Sequence, residues 1–80
     1  MTFSIDRPRD ISAALARARR AIESAGGYLQ GDETSGRIAV VGVEGSYEVG
    51  SRVQISITKK PFIYPAFAVE NQVRAYFQGA

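Results

Sequence analysis

Four acidic side chains are the first residues whose type and spacing could perform chemistry. Asp32 and Glu33 are adjacent, and Glu44 and Glu48 are four residues apart. If these carboxylates met at one end of a sheet, they could hold a hard cation or act as an acid and base pair. The sequence contains nothing with the spacing of a calcium loop, and carboxylates are common in polar turns. The pattern therefore favours solvated turn and edge residues over a metal or catalytic site.

Composition removes most other catalytic chemistry. The chain has neither histidine nor cysteine, so it lacks the commonest general base and metal ligand as well as thiolates and disulfides. Its serines have no histidine to activate them. The Lys59-Lys60 doublet stands beside a proline, where desolvation of an amine is not expected, and it is typical of a charged end to an apolar strand. We therefore expect no enzymatic activity and no cofactor.

A nucleic-acid surface is a second interpretation. Seven basic residues and one aromatic residue could contribute to it: Arg17, Arg19, Arg20, Arg37, Arg52, Lys59, Lys60 and Tyr28. Arginines would meet phosphates while the ring stacks on a base. The net charge is only +2, and the sequence shows no dense basic patch, so solvated surface charges are favoured. Gly26-Gly27 cannot cradle a phosphate, because it follows a helix C-terminus, where the dipole is negative.

The elements that position these residues begin with a strand and a helix. Thr2–Asp6 alternates apolar and polar residues, as a half-buried strand does. Asp10 can cap a following helix, which Gly26-Gly27 ends. The helix carries one apolar stripe, made of Ile11, Ala14, Leu15, Ala18, Ile22 and Ala25.

Strands follow this helix. A short strand is predicted at 28–30 with Leu29 inward, followed by a polar turn at 32–36 and a strand at 37–42 with Ile38 and Val40 inward. Val43–Gly45 is interpreted as a turn. Strands at 46–49 and 52–58 then flank a hairpin turn at Gly50-Ser51, and their buried face is expected to hold Tyr47, Val49, Val53, Ile55 and Ile57.

Pro65 suits the first turn of a second helix. That helix has its own apolar stripe, made of Ala66, Val69, Val73, Tyr76 and Phe77. The predicted fold is α+β in two layers, in the order β-α-β-β-β-β-α, with an antiparallel sheet of four to five strands and two helices on one face. The position of the first strand in the sheet is left open.

One aromatic-rich segment is not accounted for by these elements. Phe62, Ile63, Tyr64 and Phe67 cannot all lie under a helix whose stripe is already filled. Either they cover the open end of the core, which a domain this small favours, or some are exposed to meet a partner, a hydrophobic surface or a second copy. These four residues are the candidate interaction surface.

Length and hydropathy indicate the class of protein. Eighty residues are expected to form a single domain, residues 1–80. No apolar run approaches the length of a membrane span or a signal peptide. We expect a soluble cytoplasmic protein.

Turn glycines and core positions together resemble a family. The residues that carry the resemblance are Gly26-Gly27, Gly31-Asp32, Gly36-Arg37-Ile38, Gly45-Ser46-Tyr47, Lys59-Lys60-Pro61-Phe62 and the segment 69–74. Over about residues 10–77 the chain is similar to small bacterial proteins of the polyhydroxyalkanoic-acid-system family. The resemblance implies a non-enzymatic accessory protein that meets a polyester granule surface or a partner on it.

The functional prediction is therefore a small interaction module whose partner is a protein, a second copy or a hydrophobic surface. Two alternatives stay open. One is a ligand-binding or enzymatic domain with a pocket between helices and sheet, and the other is a weak binder of single-stranded nucleic acid.

Overall fold

Two helices and five strands follow one another in the predicted order, β-α-β-β-β-β-α. The structure is a computed structural model that describes residues 1–40, 42–61 and 63–78. Its elements are β1 (Thr2–Asp6), α1 (Ile11–Ser24), β2 (Tyr28–Gly31), β3 (Ser35–Val40), β4 (Val43–Val49), β5 (Arg52–Lys59) and α2 (Ala66–Gln78). They form an α+β fold with one antiparallel sheet, which confirms the predicted fold class.

Strand β1 lies at one edge of the sheet, beside β5. The strand order is β1-β5-β4-β3-β2, and every neighbouring pair is antiparallel. Phe3 lies opposite Ile55 and Ile5 opposite Val53, so the apolar side chains of β1 share a face with those of β5. Helix α1 therefore carries the chain from one edge of the sheet to the other.

Helix α1 begins after the predicted cap residue Asp10 and ends before the predicted glycine pair. The Asp10 carboxylate accepts a hydrogen bond from the backbone N–H of Ala13 at 3.0 Å, which satisfies one free donor of the first turn. At the other end Gly26 has a φ of 88°, and the N–H of Gly27 donates to the carbonyl of Ile22 at 2.9 Å. Glycine permits this left-handed ending without a Cβ clash.

The core occupies one face of the sheet, beneath both helices. Sixteen side chains form it: Ile5, Ile11, Leu15, Ala18, Ile22, Leu29, Ile38, Val40, Val43, Tyr47, Val53, Ile55, Ile57, Val69, Val73 and Phe77. Val49 and Tyr76, which the patterns place in the core, are only partly buried against it. Ala66 is exposed at the start of α2.

The opposite face of the sheet has no helix on it in the described part of the chain. On this face the interior strand β5 presents Arg52, Gln54 and Thr58 to water, with Ser56 half-buried. Arg52 donates to Asp6 of β1 at 2.8 Å, and both side chains are largely exposed. An exposed pair of this kind contributes at most about 1 kcal/mol. The alternation of β5 thus reflects a sheet that is covered on one side only.

Tyr47 is the most completely enclosed polar residue of the sheet. Its ring meets that of Phe77 edge to face, with 5.7 Å between centroids, and its hydroxyl donates to the carbonyl of Asp32 at 2.8 Å. On the neighbouring strand its cross-strand partner is Gly36. A Cβ at Gly36 would lie 2.5 Å from Cε1 and from the hydroxyl oxygen of Tyr47. The Tyr47 ring and the backbone carbonyl of Gln30 on β2 together occupy the space that a side chain at Gly36 would need.

Two predicted turns differ from the structure. Val43–Gly45, which was interpreted as a turn, is the first part of β4. The turn predicted at 32–36 is shorter in the structure, because β3 already begins at Ser35. The actual connection between β3 and β4 includes Gly42, whose φ of 80° suits glycine. Gly45 lies in β4 opposite Ile57, and a Cβ there would lie 2.5 Å from the Ser56 carbonyl oxygen and 3.0 Å from Cδ1 of Ile57. Glycine here marks close packing, which local sequence does not distinguish from a turn.

Helix α2 begins directly after Pro65, as predicted. Arg74 donates to Glu70, four residues before it on the helix, at 2.8 Å. The guanidinium carbon of Arg74 also lies 5.5 Å from the centre of the Phe3 ring, a cation–π contact. Through this contact one side of α2 packs against the edge strand β1. Within the described residues, no helix is long and apolar enough to cross a membrane.

Substituting Gly36 by alanine tests the contact with Tyr47. The added methyl group must displace the Tyr47 ring or the strand, so we expect a loss of about 1–3 kcal/mol in the free energy of unfolding, measured by urea denaturation. Gly50→Ala is the control, because the nearest atom to a Cβ there is 3.9 Å away. Equal stability of the two variants would contradict this account of Gly36.

Candidate interaction surface

Several chain segments meet at one end of the sheet, which we call the apical end. It comprises the connection between β3 and β4, the last residues of β5 and the first turn of α2. Lys59 lies opposite Glu44 across the last pair of β5 and β4, and the Pro61 ring lies next to Gly42. A turn then follows, in which the N–H of Tyr64 donates to the carbonyl of Pro61 at 3.0 Å. Tyr64 is thereby held close to the end of the sheet.

All the large hydrophobic side chains that are exposed in the described residues lie at this end. They are Met1, Tyr28, Ile63, Tyr64 and Phe67. Ile63 is 71% exposed and Phe67 is 69% exposed. Met1 pairs with Ile57 near the end of β5 through its backbone carbonyl, and Tyr28 begins β2 opposite Ala39. Isolated exposed hydrophobic residues are normal on a protein surface. The evidence for a binding surface is therefore that these side chains are grouped at one end of the molecule.

The sequence favoured a covering role for Phe62, Ile63, Tyr64 and Phe67, and this is wrong for the last three. Ile63, Tyr64 and Phe67 are exposed, whereas Phe62 lies outside the described residues. Smaller side chains close the core at the apical end: Val40, Val43, Ile57 and Val69 are each less than a tenth exposed. Ile63, Tyr64 and Phe67 lie outside these smaller side chains. We call Ile63, Tyr64 and Phe67 the apical patch.

An apolar groove of about 430 Å³ adjoins the apical patch. It lies between the end of α1, the β3–β4 connection and one flank of α2. On the α2 side the groove is lined by residues at four-residue spacing, namely Tyr64, Ala68, Gln72 and Tyr76. Ala25, after the end of α1, also lines it. Ala25 was predicted to continue the buried stripe of α1, but it follows the last helical residue and is exposed. The four-residue spacing beginning at Tyr64 is the sequence signal that could have revealed this groove.

Charged groups flank the patch on the β5 side. The Lys60 amine donates to the carbonyl of Tyr64 at 2.9 Å. The Lys59 amine lies 3.6 Å from a carboxylate oxygen of Glu44, and both side chains are mostly exposed. From Lys59 to Val69 the sequence contains no acidic residue. Lys60 is therefore held beside the apical patch, Lys59 is paired with Glu44 at the same end of the sheet, and neither is buried as a catalytic lysine would be.

The candidate carboxylates do not assemble into a site. Glu44 is at the apical end, whereas Asp32 and Glu33 occupy the β2–β3 turn at the opposite end, and Glu48 is exposed opposite Ser35. Within the described residues, no group of three or more acidic side chains could hold a metal ion. Asp32 and Glu33 are exposed turn residues, whereas Glu44 and Glu48 are exposed on β4, the central strand, and are not edge residues.

Asp32 has a structural role in its turn. Its carboxylate accepts from the Thr34 hydroxyl at 2.6 Å and from the backbone N–H groups of Thr34 and Ser35 at 2.8 and 3.1 Å. The hydroxyl and N–H of Thr34, followed by the N–H of Ser35, lower the pKa of Asp32 from 3.8 to about 2. These donors favour the ionised form, which organises the turn beneath the Tyr47 hydroxyl.

The basic residues are divided between two surfaces. Arg17, Arg19 and Arg20 are exposed on α1, whereas Arg37 and Arg52 lie on the sheet face that no described helix covers. The sheet and core separate these groups. Arg19 also donates to the Leu29 carbonyl at 3.3 Å. Consequently these arginines do not converge on one surface as a nucleic-acid site requires.

Comparison of the chain with protein-family models, with curated proteins and with solved structures found no match. The family resemblance remains a prediction.

Truncation of the apical patch should leave the fold intact. Ile63→Ala and Phe67→Ala remove exposed atoms, so each should change the free energy of unfolding by less than about 0.5 kcal/mol. Val73→Ala is the buried counterpart on α2, with 2% exposure, and should cost about 1–3 kcal/mol. Urea denaturation measures all three. A large loss in either patch variant would show that its side chain packs against the core.

Acid unfolding tests the role of Asp32. Because its pKa is lower in the folded state, ionised Asp32 stabilises the fold above about pH 4, and the contribution is lost as the pH falls towards 2. In Asp32→Asn this contribution is absent. The difference in unfolding free energy between wild type and variant should therefore shrink from pH 5 to about pH 2, as followed by urea denaturation at each pH. A constant difference would contradict the assignment.

Proposed function

We propose that this protein is a small non-enzymatic binding module that docks through its apical end onto a hydrophobic surface. The observation that carries the proposal is the collection of exposed large hydrophobic side chains at that end. Burying one such side chain contributes about 1.5–3 kcal/mol. Ile63 and Phe67 together are therefore the main apolar contribution to docking, which has to offset the loss of translational and rotational freedom on association.

Attachment of the patch to the rest of the fold supports a binding role. Pro61 and Pro65 bracket the turn that carries Ile63 and Tyr64, and proline restricts the backbone on either side. Phe67 stands on the first turn of α2, which is anchored by buried Val69 and Val73. Side chains held on ordered elements lose less conformational entropy on binding than those of a free loop.

The apolar groove belongs to the same surface. Its volume is within the range of small-molecule sites, which keeps the pocket alternative under consideration. Among its described lining residues the polar groups are the Gln72 amide and the hydroxyls of Tyr64 and Tyr76, with no acidic or basic side chain. A catalytic pocket needs converging ionisable groups. We therefore interpret the groove as an extension of the docking surface.

The family resemblance is compatible with this function, because it implies an accessory protein at a granule surface. Bacterial origin and cytoplasmic location are part of the proposal on the same basis. A second copy of the chain is the competing occupant.

Retention on octyl-agarose at moderate salt tests the proposal. Wild type should be retained, while Ile63→Ala and Phe67→Ala should each elute earlier and the double variant earliest, because fewer apolar atoms can be buried. Gln54→Ala, which truncates an exposed side chain on the other sheet face, should behave as wild type. Equal elution of wild type and the double variant would contradict the proposal. Light scattering on the same proteins detects a dimer, and a dimer lost in Phe67→Ala would identify a second copy as the docked surface.

A further inference from the structure

We propose that the hydrophobic surface recognised by the apical end is a phospholipid surface rich in anionic headgroups. This inference rests on the proposed docking function and names its partner. It follows from which side chains share the apical end, from the charge beside them and from the shape of the patch.

Two of the four tyrosines are exposed at the apical end. They are Tyr28 and Tyr64, of which Tyr64 belongs to the apical patch. Tyr47 is in the core, and Tyr76, in the last turn of α2, is partly buried against it. Tyrosine is enriched where apolar and aqueous regions meet, because its ring is apolar and its hydroxyl is hydrated. Ile63 and Phe67, without polar groups, are the side chains suited to deeper insertion.

The two lysines supply charge complementarity to anionic headgroups. Lys60 is held against the Tyr64 carbonyl, so its amine is beside the patch. Lys59 is close to Glu44 at 3.6 Å, with both side chains mostly exposed. An exposed ion pair of this length is weak, so Lys59 can exchange Glu44 for a phosphate. Lysines next to inserted hydrophobic residues are the arrangement by which peripheral proteins bind acidic lipid surfaces.

Shape favours a lipid surface over a second copy. A stable homodimer buries about 800 Å² on each partner, about a sixth of the 4851 Å² total surface. Ile63 and Phe67 are instead about 70% exposed on a turn and a helix start, as protruding side chains are. A second copy would also bring two more lysines to the contact. A fluid headgroup layer accommodates protruding side chains without a complementary protein surface.

The two ends of the sheet differ in polarity, and this difference limits how deeply the protein can insert into the lipid surface. The opposite end of the sheet carries the Asp32 turn, the Asp10 cap, and Arg7, which donates to the Gly50 carbonyl. These polar groups remain in water when the apical end is inserted. The protein would therefore bind end-on, with the strands directed towards the lipid surface.

Vesicle sedimentation tests the inference with the full chain. Wild type should bind vesicles of phosphatidylcholine mixed with phosphatidylglycerol more tightly than vesicles of phosphatidylcholine alone, and added salt should weaken the difference. Ile63→Ala and Phe67→Ala should each weaken binding to the mixed vesicles by about tenfold. Lys59→Gln and Lys60→Gln should each weaken it by about fivefold. Arg37→Gln, a charge change on the exposed sheet face, should bind as wild type.

Two results would overturn the lipid assignment. One is the absence of vesicle binding at low salt, and the other is binding that Ile63→Ala and Phe67→Ala leave unchanged. If the same variants still lose retention on octyl-agarose, or lose a dimer detected by light scattering, the docking function stands and its partner is another apolar surface or a second copy. If the variants lose neither retention on octyl-agarose nor a dimer, both the docking function and the lipid assignment are wrong.

Discussion

The buried ring of Tyr47 is the constraint on which the rest of the structure depends. It connects three parts of the chain that are distant in sequence, because its ring packs edge to face with Phe77 of α2 and its hydroxyl bonds to Asp32 in the β2–β3 turn. Cε1 and the hydroxyl oxygen of Tyr47, with the Gln30 carbonyl, leave no room for a side chain at position 36 on the neighbouring strand. A tyrosine can be buried in this way only if its hydroxyl finds a partner. The ionised Asp32 side chain organises the turn whose carbonyl supplies that partner.

Coverage of one sheet face explains both the core and the exposed surface. An 80-residue chain has enough apolar material for one layer of helices, and α1 and α2 supply it. The other sheet face is made of polar side chains such as Gln54 and Arg52. At the apical end Val40, Val43, Ile57 and Val69 close the core. Ile63, Tyr64 and Phe67 lie outside these side chains and form the apical patch.

Prediction succeeded where a local pattern and a burial requirement agree. The strand alternation of β5, the Asp10 cap and the Pro65 helix start each have a local physical cause, and each is confirmed. Prediction failed at Gly45, which was interpreted as a turn, and at Ala25, which was assigned to the core. In both cases the residue type was consistent with two environments. The surroundings in the folded chain distinguish the two environments. Gly45 pairs with Ile57 of the neighbouring strand, and Ala25 lines the exposed groove instead of the core.

By itself, the sequence determined the order of elements and the core face of most strands and helices, because periodicities of 2 and 3.6 residues are local properties of the backbone. It also excluded histidine and cysteine chemistry by composition. Tertiary structure alone decided that β1 lies beside β5 and that Tyr28, Ile63, Tyr64 and Phe67 share one end. These facts depend on how separate segments meet in space. Whether a hydrophobic side chain is core or surface is set by the volume left by its neighbours, which no local pattern records.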